Sequence, residues 1–513
     1  MARTGASPRK TTLDKDLARL GEVEEATNVV ARGLIAPGLA LLFLALAAFL
    51  TSVMTGGEPR TVVIVVAAAI AAYMALNIGA NDVANNVGPA VGAKVLTMGG
   101  ALVMAAVCET AGALIAGSDV VDTISGGLVV PASLDAPALI RVMLAALLAA
   151  ALWINLATWL GAPVSTTHSI VGAVIGGGVA AAGFASVNWT AMGAITLSWI
   201  SSPILGGLIA AAFLAFIETA IIYRDDKIAA ARLWVPLLIA LMAGTFSAYL
   251  VLKGLQNVAV FSGWTLTVIG LAGFVGIWAA AHLQVRHASR KMENRNQSLK
   301  KLFRTPLIIS AALLSFAHGA NDVANAVGPL AAIVRAATPG DAVAGTAPQW
   351  VMVIGALGIS VGLLLYGPRL VRMVGGEITK LNPMRAFCVA LSTALTVIVA
   401  SWFGLPVSST HIAVGSVFGV GFFREWYIAN SRQRRRYIER RNAQRLAERA
   451  ASGKPDTADD DEDDTVTVSR EEIVHRRLVR RAHVIRIVAA WVTTVPVSAL
   501  LSAGLFLLLS AAS

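Results

Sequence analysis

Charge is what this sequence has least of. Only 14% of its 513 residues are Asp, Glu, Lys or Arg, where a soluble domain carries roughly a quarter. That shortfall excludes an ordinary water-soluble globule. Cysteine is nearly missing too. Cys108 and Cys388 are the whole complement, and both lie inside apolar runs. This excludes a disulfide framework and leaves two buried bystander thiols. Strand-period alternation is missing, which excludes an outer-membrane barrel. Nor does the start look like a cleaved signal peptide. Residues 1–32 are polar and mixed in charge, and the first apolar run is Leu34 to Val53, too far in for a signal sequence. An uncleaved first span is expected. The net charge of +11 raises the question of nucleic acid. Most of the Lys and Arg, however, lie in short stretches between or beyond apolar runs, the pattern that orients a membrane protein. Nucleic acid is therefore not expected as a partner; membrane lipids are.

What is present is apolar length. Hydrophobic residues make up 56% of the chain and mean hydropathy is +0.71. Stretches of about 20 residues, each long enough to cross a bilayer as a helix, recur along most of it. The fold class is an all-α polytopic membrane protein with about 12–13 transmembrane or re-entrant helices. Spans are expected near 33–53, 61–85, 98–117, 138–160, 164–184, 193–222, 233–253, 264–284, 305–334, 350–367, 385–404, 407–423 and 486–510. Segments 164–184 and 407–423 are short and follow prolines, which makes them candidates for re-entrant helices. Segment 193–222 contains Ser201-Ser202-Pro203 and is a candidate for two pieces.

Basic residues set the orientation. Loop 285–304 carries Arg286, Arg290, Lys291, Arg295, Lys300, Lys301 and Arg304, and stretch 424–485 is arginine-rich at both ends. Both are expected to be cytoplasmic, with an even number of segments between them. The N-terminus then falls inside and the C-terminus outside, in a cell inner (plasma) membrane. Within 424–485, Arg432 to Arg449 is a basic, helix-compatible run and Asp456 to Asp464 an acidic block. Such blocks are usually solvated, and the basic run suits anionic headgroups.

Two motifs each occur twice. Gly79-Ala-Asn-Asp-Val-Ala-Asn85 returns as Gly319-Ala-Asn-Asp-Val-Ala-Asn325, each followed by Val-Gly-Pro. Gly161-Ala-Pro-Val-Ser-Thr-Thr-His168 returns as Gly404-Leu-Pro-Val-Ser-Ser-Thr-His411. The near-equal offsets mean one duplicated unit. The organisation is a cytoplasmic segment 1–32, an extra first helix 33–53, a first repeat core 61–184, connecting helices 193–284, the basic loop 285–304, a second repeat core 305–423, the charged loop 424–485 and a last helix 486–510. An even number of spans separates the two Asp motifs, so they enter from opposite sides as inverted-topology repeats. That plan is associated with secondary transporters and a midplane site. A single re-entrant segment between them would undo the parity.

Carboxylates in an apolar run read as a site. Asp82 and Asp322 stand beside Asn81, Asn85, Asn321 and Asn325, with Gly-Pro after them. A helix broken there would release carbonyls, and carbonyl, amide and carboxylate oxygens suit a hard cation. A Na⁺ site or a protonatable carboxylate for H⁺ coupling follows; the bland alternative is a polar clasp between helices. In the second motif, proline before hydroxyls places Ser165, Thr166 and Thr167, and Ser408, Ser409 and Thr410, at helix N-termini. Free N–H groups and the dipole there suit an anion. Two such ends would hold a tetrahedral oxyanion, unless the hydroxyls only cap their own helices. None of the four motifs contains Lys or Arg, so co-bound cations would offset the anion's charge. Glu109 is a further buried carboxylate that joins the cation site or pairs with Arg141. His168, His411 and His318 are weaker candidates: packing suits the first two as well as contact does, and Ile78 stands in the place matching His318. Glu218 lies near a span end and reads as a boundary residue.

At these four motifs, over roughly residues 60–425, the chain resembles the inorganic phosphate transporter (Pit) family. The resemblance implies an inverted-repeat fold that carries inorganic phosphate with Na⁺ or H⁺ by symport, in some bacterial members as a neutral metal–phosphate complex. It implies no other cofactor or metal. Asp82 and Asp322 resemble the family's essential aspartates, and Asn81, Asn85, Asn321 and Asn325 its asparagines. The hydroxyl clusters resemble its phosphate-binding helix starts, and Glu109 a first-repeat glutamate. The chain departs at Ala390, where many members carry a second-repeat glutamate; a symmetric pair of coupling carboxylates is thereby put in question. A homodimer is a candidate assembly. A sulfate permease of the same family is the nearest alternative. An intramembrane Ser–His hydrolase is disfavoured because nucleophilic chemistry needs one well-built pair, not a duplicated cluster. A channel is disfavoured by the mixed anion- and cation-binding character.

Overall fold

The computed structural model describes residues 34–56, 60–130, 133–160, 164–254, 262–338, 347–377, 381–452 and 481–512. Segment 1–32 and the acidic block Asp456 to Asp464 lie outside them. The described chain is helical, in order α1 (Leu34–Met54), α2 (Thr61–Gly92), α3 (Met98–Ala116), α4 (Ser118–Asp122), α5 (Ala136–Trp159), α6 (Thr166–Ala182), α7 (Trp189–Ile217), α8 (Lys227–Gly254), α9 (Gly263–Ala288), α10 (Asn296–Leu302), α11 (Arg304–Asp322), α12 (Ala324–Ala337), α13 (Gln349–Glu377), α14 (Pro383–Trp402), α15 (Ser409–Asn430), α16 (Arg432–Ser452) and α17 (Arg481–Ala511). Single-turn π-helices continue α4 over Thr123–Gly127 and α7 over Glu218–Ile222. Among the described residues, eleven helices are long and apolar enough to cross a membrane, with α11 and α12 counted as one. Large apolar side chains cover the outer surface, among them Leu41, Val62, Leu197, Trp264 and Leu500. In water that surface would aggregate; in lipid it is the solvent-facing side. The chain is a multi-pass membrane protein.

Local chemistry sets the helix starts. Thr97, Asp135, Ser262 and Asn382 each accept a hydrogen bond from a backbone N–H in the first turn of the helix that follows, and proline occupies the first turn of α5 and α14, where its missing donor costs nothing.

Two helix pairs form hairpins whose tips stop at Asn81 on α2 and at Asn321 on α11, the shape of a re-entrant pair. The end of α6 is tied to the stretch before α5 through Val130 N–H to Ser186 O, at 2.8 Å, and Asn188 N–H to Leu128 O, at 3.0 Å. Both ends of the α5–α6 hairpin therefore lie on one side, and its tip meets Asn81 near the middle of α2. The α14–α15 hairpin folds back likewise, with Ser392 and Thr393 donating to Ser416. Hairpins remove crossings two at a time, so the parity survives. Four full crossings separate α2 from α11, and the two run in opposite directions.

The inverted repeat is visible in its packing. A Cβ on Gly79 would collide with the carbonyl of Ile359 on α13, and one on Gly319 with the carbonyl of Glu109 on α3. Gly112 against Phe316 and Gly362 against Leu76 repeat the relation one turn on. Helix α2 thus packs on α13 as α11 packs on α3, with backbones in direct contact as small residues allow in lipid. The same relation joins α6 to α17 through Gly172 and Gly176, and α15 to α7 through Gly415 and Gly419.

Two expectations change. Helix α2 runs unbroken from Thr61 to Gly92 through the Asp motif and Pro89; in the second repeat only Val323 interrupts α11 and α12, still with helical φ and ψ. The expected break is absent from the first Asp motif and is reduced to the single residue Val323 in the second. Proline removes a single donor, and the surrounding helices hold the turn. Breaks lie at the hairpin tips instead, at Val164 and Ser165 in the first repeat and between Trp402 and Ser409 in the second. Segment 193–222 is likewise one helix rather than two pieces, with Pro203 inside α7.

Candidate functional site

Asp82 is fully buried and joins both hairpins. Its Oδ1 accepts from Asn81 Nδ2 at 2.8 Å and from Thr410 Oγ1 at 3.0 Å. Its Oδ2 accepts from Thr166 Oγ1 at 3.0 Å. Asp322 is equally buried; its Oδ1 accepts from Asn321 Nδ2 at 2.5 Å and its Oδ2 from Ser409 Oγ at 3.2 Å. The second-repeat aspartate is held by its own hairpin, and the first by both.

The asparagines fall into two classes. Asn81 Nδ2 donates to Val164 O at 3.1 Å and Asn321 Nδ2 to Val407 O at 2.7 Å. They tether the hairpin tips to the Asp helices, and their own oxygens accept from Thr158 and Ser401. Asn85 and Asn325 reach across the repeats. Asn85 Nδ2 donates to Thr410 Oγ1 at 2.8 Å, and Asn325 Nδ2 to Thr167 Oγ1 at 3.2 Å. Thr167 Oγ1 in turn donates to Val407 O at 3.0 Å.

The hydroxyl clusters divide as well. Ser165 and Ser408 accept from the backbone N–H of His168 and His411, at 3.1 and 3.3 Å. They are N-caps, so for these two the capping role holds. Thr166, Thr167, Ser409 and Thr410 face the aspartates and asparagines. The first turns of α6 and α15 point at the same place, with backbone N–H groups that favour negative charge.

His318 sits at the centre. Its Nε2 lies 2.8 Å from Asp322 Oδ2 and 3.7 Å from Asp82 Oδ2, and its Nδ1 lies 3.3 Å from Glu109 Oε2. Glu109 Oε1 accepts from Asn86 Nδ2 at 2.8 Å. Three carboxylates and one imidazole thus share a water-excluded cluster, which needs compensating positive charge. One donor atom each from Asp82, His318 and Asp322 lies within 4.8 Å of the others. The buried oxygens Asn86 Oδ1 and Asn325 Oδ1 receive no hydrogen bond. Amide oxygens without donors, beside buried carboxylates, fit a hard cation.

The cluster is one-sided. By the packing relation above, Ile359 on α13 is the counterpart of Glu109, Ile78 that of His318 and Ala326 that of Asn86. Ala390, on α14, is buried away from that relation. A symmetric pair of coupling carboxylates beyond the two aspartates is therefore not what this site has.

His168 and His411 lie elsewhere. Their ring centroids are 4.4 Å apart, and each tilts against a tryptophan, Trp199 at 3.8 Å and Trp491 at 3.7 Å. Among the described contacts neither meets an aspartate. They pack the two hairpins against each other. Nor does His168 meet the Ser165 hydroxyl through its ring, so no base–nucleophile pair exists there. Sequence reasoning missed the Val164 and Val407 carbonyls, Asn86 and the two tryptophans. Asn86 was detectable, since Asn85-Asn86 faces Asn325-Ala326 in the aligned repeats; a backbone carbonyl leaves no such mark.

A family model described as the phosphate transporter family matches residues 78–502. Two Helicobacter pylori proteins, from strains J99 and 26695, each named "Putative phosphate permease", are 44% identical over 530 aligned residues, covering 96% of this chain and 98% of theirs. A Thermococcus kodakarensis protein of the same description is 40% identical over 355 residues, 68% of this chain and 86% of its own. A solved structure titled "The sodium-dependent phosphate transporter" superposes with a TM-score of 0.72 at 32% identity, covering 88% of this chain and 99% of that one. These are permeases and transporters rather than enzymes, which bears out the non-enzymatic reading. The chain belongs to the phosphate transporter family.

Proposed function

We propose that this protein is a secondary symporter that carries inorganic phosphate across the inner membrane, coupled to Na⁺, by alternating access. Asp82 carries the argument: one buried carboxylate accepts hydroxyl donors from two hairpins that enter from opposite faces. Ser409, Thr410, Thr166 and Thr167, with Asn85 and Asn325, supply donors for a tetrahedral oxyanion at two helix N-termini. Asp82 and Asp322, with Asn81 and Asn321 holding the tips, supply the charge that a co-bound cation offsets. Neither solute binds well alone, since the anion would face bare carboxylates. Stoichiometric coupling follows from that mutual requirement. Rocking of the two halves about the aspartates would free one hairpin tip at a time.

Na⁺ is favoured by the oxygen-rich donor set and by the sodium dependence for which the structural relative is named. A proton is the second reading, favoured by His318 at 2.8 Å from Asp322. Labelled phosphate uptake into proteoliposomes separates them. A Na⁺ gradient should drive uptake and a pH gradient alone should not. Uptake under the pH gradient alone would transfer the coupling to H⁺, and uptake under neither would remove the symport reading. Excess unlabelled sulfate should leave phosphate uptake unchanged; full competition would favour the sulfate permease.

A further inference from the structure

Outside the transport site, the most strongly charged described element is α16, and its two faces differ. Arg434 and Ile438 are buried, one helical turn apart on a single face. That face is docked on the ends of α7 and α8. Gln433 Nε2 donates to Thr219 O at 3.2 Å in the π-turn that closes α7. Tyr437 packs edge-on to Tyr223 at 5.7 Å, and Lys227 Nζ lies 5.1 Å above the Tyr437 ring. The opposite face exposes Arg432, Arg435, Arg436 and Arg440. Arg440 has a weak surface partner among the described residues, Asp225 at 3.7 Å.

Depth in the bilayer decides what that face meets. Phe422 and Trp426 project outward from the last turns of α15, in register with the apolar outer surface, and exposed tryptophan marks the membrane–water interface. Arg432 follows Trp426 by six residues, about 9 Å at helical rise. The headgroup layer is about 5–8 Å thick on each side, so the Arg432 backbone lies at its outer edge, within reach of the headgroups for a long arginine side chain. Ser431, with extended ψ, turns the chain at that level, and docking on α7 and α8 keeps α16 there.

We infer that α16 is a basic strap whose exposed arginines bind anionic phospholipid headgroups and fasten the end of α7 to the leaflet. The inference rests on the reading that this end of the molecule faces the cytoplasmic leaflet, where anionic lipid gathers. Headgroup phosphates suit guanidinium groups geometrically, and each basic side chain near an anionic surface contributes about fivefold in surface affinity.

The test is limited trypsin digestion of the full-length protein in nanodiscs, which leave both faces open, with no phosphate present. Cleavage after Arg440 and Arg441 is followed by peptide mass. In phosphatidylcholine discs containing a large share of phosphatidylglycerol, cleavage should be roughly tenfold slower than in phosphatidylcholine alone. In 1 M NaCl the difference should vanish through screening. The triple variant Arg432→Gln, Arg435→Gln, Arg436→Gln should lose most of the difference. Equal cleavage of the wild type in the two lipids overturns the inference. So does protection in phosphatidylcholine alone that disappears when Asp456, Asp459, Asp460, Asp461, Asp463 and Asp464 are changed to Ser, since the acidic run would then be the occupant. Neither outcome depends on transport, so failure here and failure of the symport reading are distinguishable.

Discussion

Thr410 Oγ1 donates to Asp82 Oδ1 at 3.0 Å, although the two residues belong to different repeats and to helices that enter from opposite sides. This bond closes one hairpin onto the other repeat's aspartate, and Thr166 closes the second hairpin onto the same side chain. The site is thus assembled from both halves at once, and neither half contains it alone.

Asp82→Asn and Asp322→Asn should each insert and yet fail to transport. The amide keeps the shape but removes the charge a cation needs. Loss of one member of a buried charge–hydrogen-bond pair costs roughly 2–5 kcal/mol, hence at least about thirtyfold in uptake. Labelled phosphate uptake, normalised to monodisperse purified protein, checks this. Wild-type uptake by either variant would remove that aspartate from the mechanism.

Asn81→Ala and Asn321→Ala should loosen the hairpin tips. Each leaves a buried carbonyl, Val164 or Val407, without its amide donor, at a cost of about 1–3 kcal/mol. Melting in detergent should shift downward for both. An unchanged melting temperature would mean that water replaces the tether.

The one-sided cluster invites a double-mutant cycle. Glu109→Ile alone leaves His318 facing an apolar wall, and His318→Ile alone leaves Glu109 with Asn86 as its remaining partner among the contacts described above. The double variant reproduces the buried isoleucines, Ile78 and Ile359, that stand at the matching places of the other half. It should melt higher than the sum of the single effects predicts, by about 0.5–3 kcal/mol of coupling. Its uptake should show an altered dependence on the driving cation. Strict additivity in both measurements would show that the two side chains do not act as a unit.

Gly319→Ala and Gly79→Ala place a Cβ into the carbonyls of Glu109 and Ile359. Overpacking of this kind costs about 1–3 kcal/mol. Gly276→Ala on α9, where a Cβ meets nothing within 4 Å, is the control and should raise stability, by up to about 1 kcal/mol. Melting curves for the three decide whether the backbone contact between α2 and α13, and between α11 and α3, is as tight as described.

Much of this was readable before any fold. Apolar run length fixes helices in lipid because no other unclosed structure satisfies its own backbone there. Repeated motifs at equal offsets expose a duplication, and carboxylates inside apolar runs expose the site. Asp82, Asp322, Asn81, Asn85, Asn321, Asn325 and Glu109 were all marked by that logic, and they do converge. His318 was marked only weakly, because a histidine before glycine looks ordinary until three carboxylates surround it.

The division between sequence and structure has a physical basis. Composition, periodicity and spacing are local, and they determined on their own that the chain crosses a membrane repeatedly, that it is built twice over, and which side chains are too polar for their surroundings. Contact between residues hundreds of positions apart is not local, so only the tertiary structure decided that α2 stays whole through the first Asp motif. It alone decided that Ser165 and Ser408 cap while Thr166 and Thr410 face Asp82, and that Glu109 has Ile359 rather than a carboxylate as its counterpart. Backbone carbonyls such as Val164 and Val407 become hydrogen-bond acceptors for Asn81 and Asn321 by position alone, and position is what close helix packing supplies.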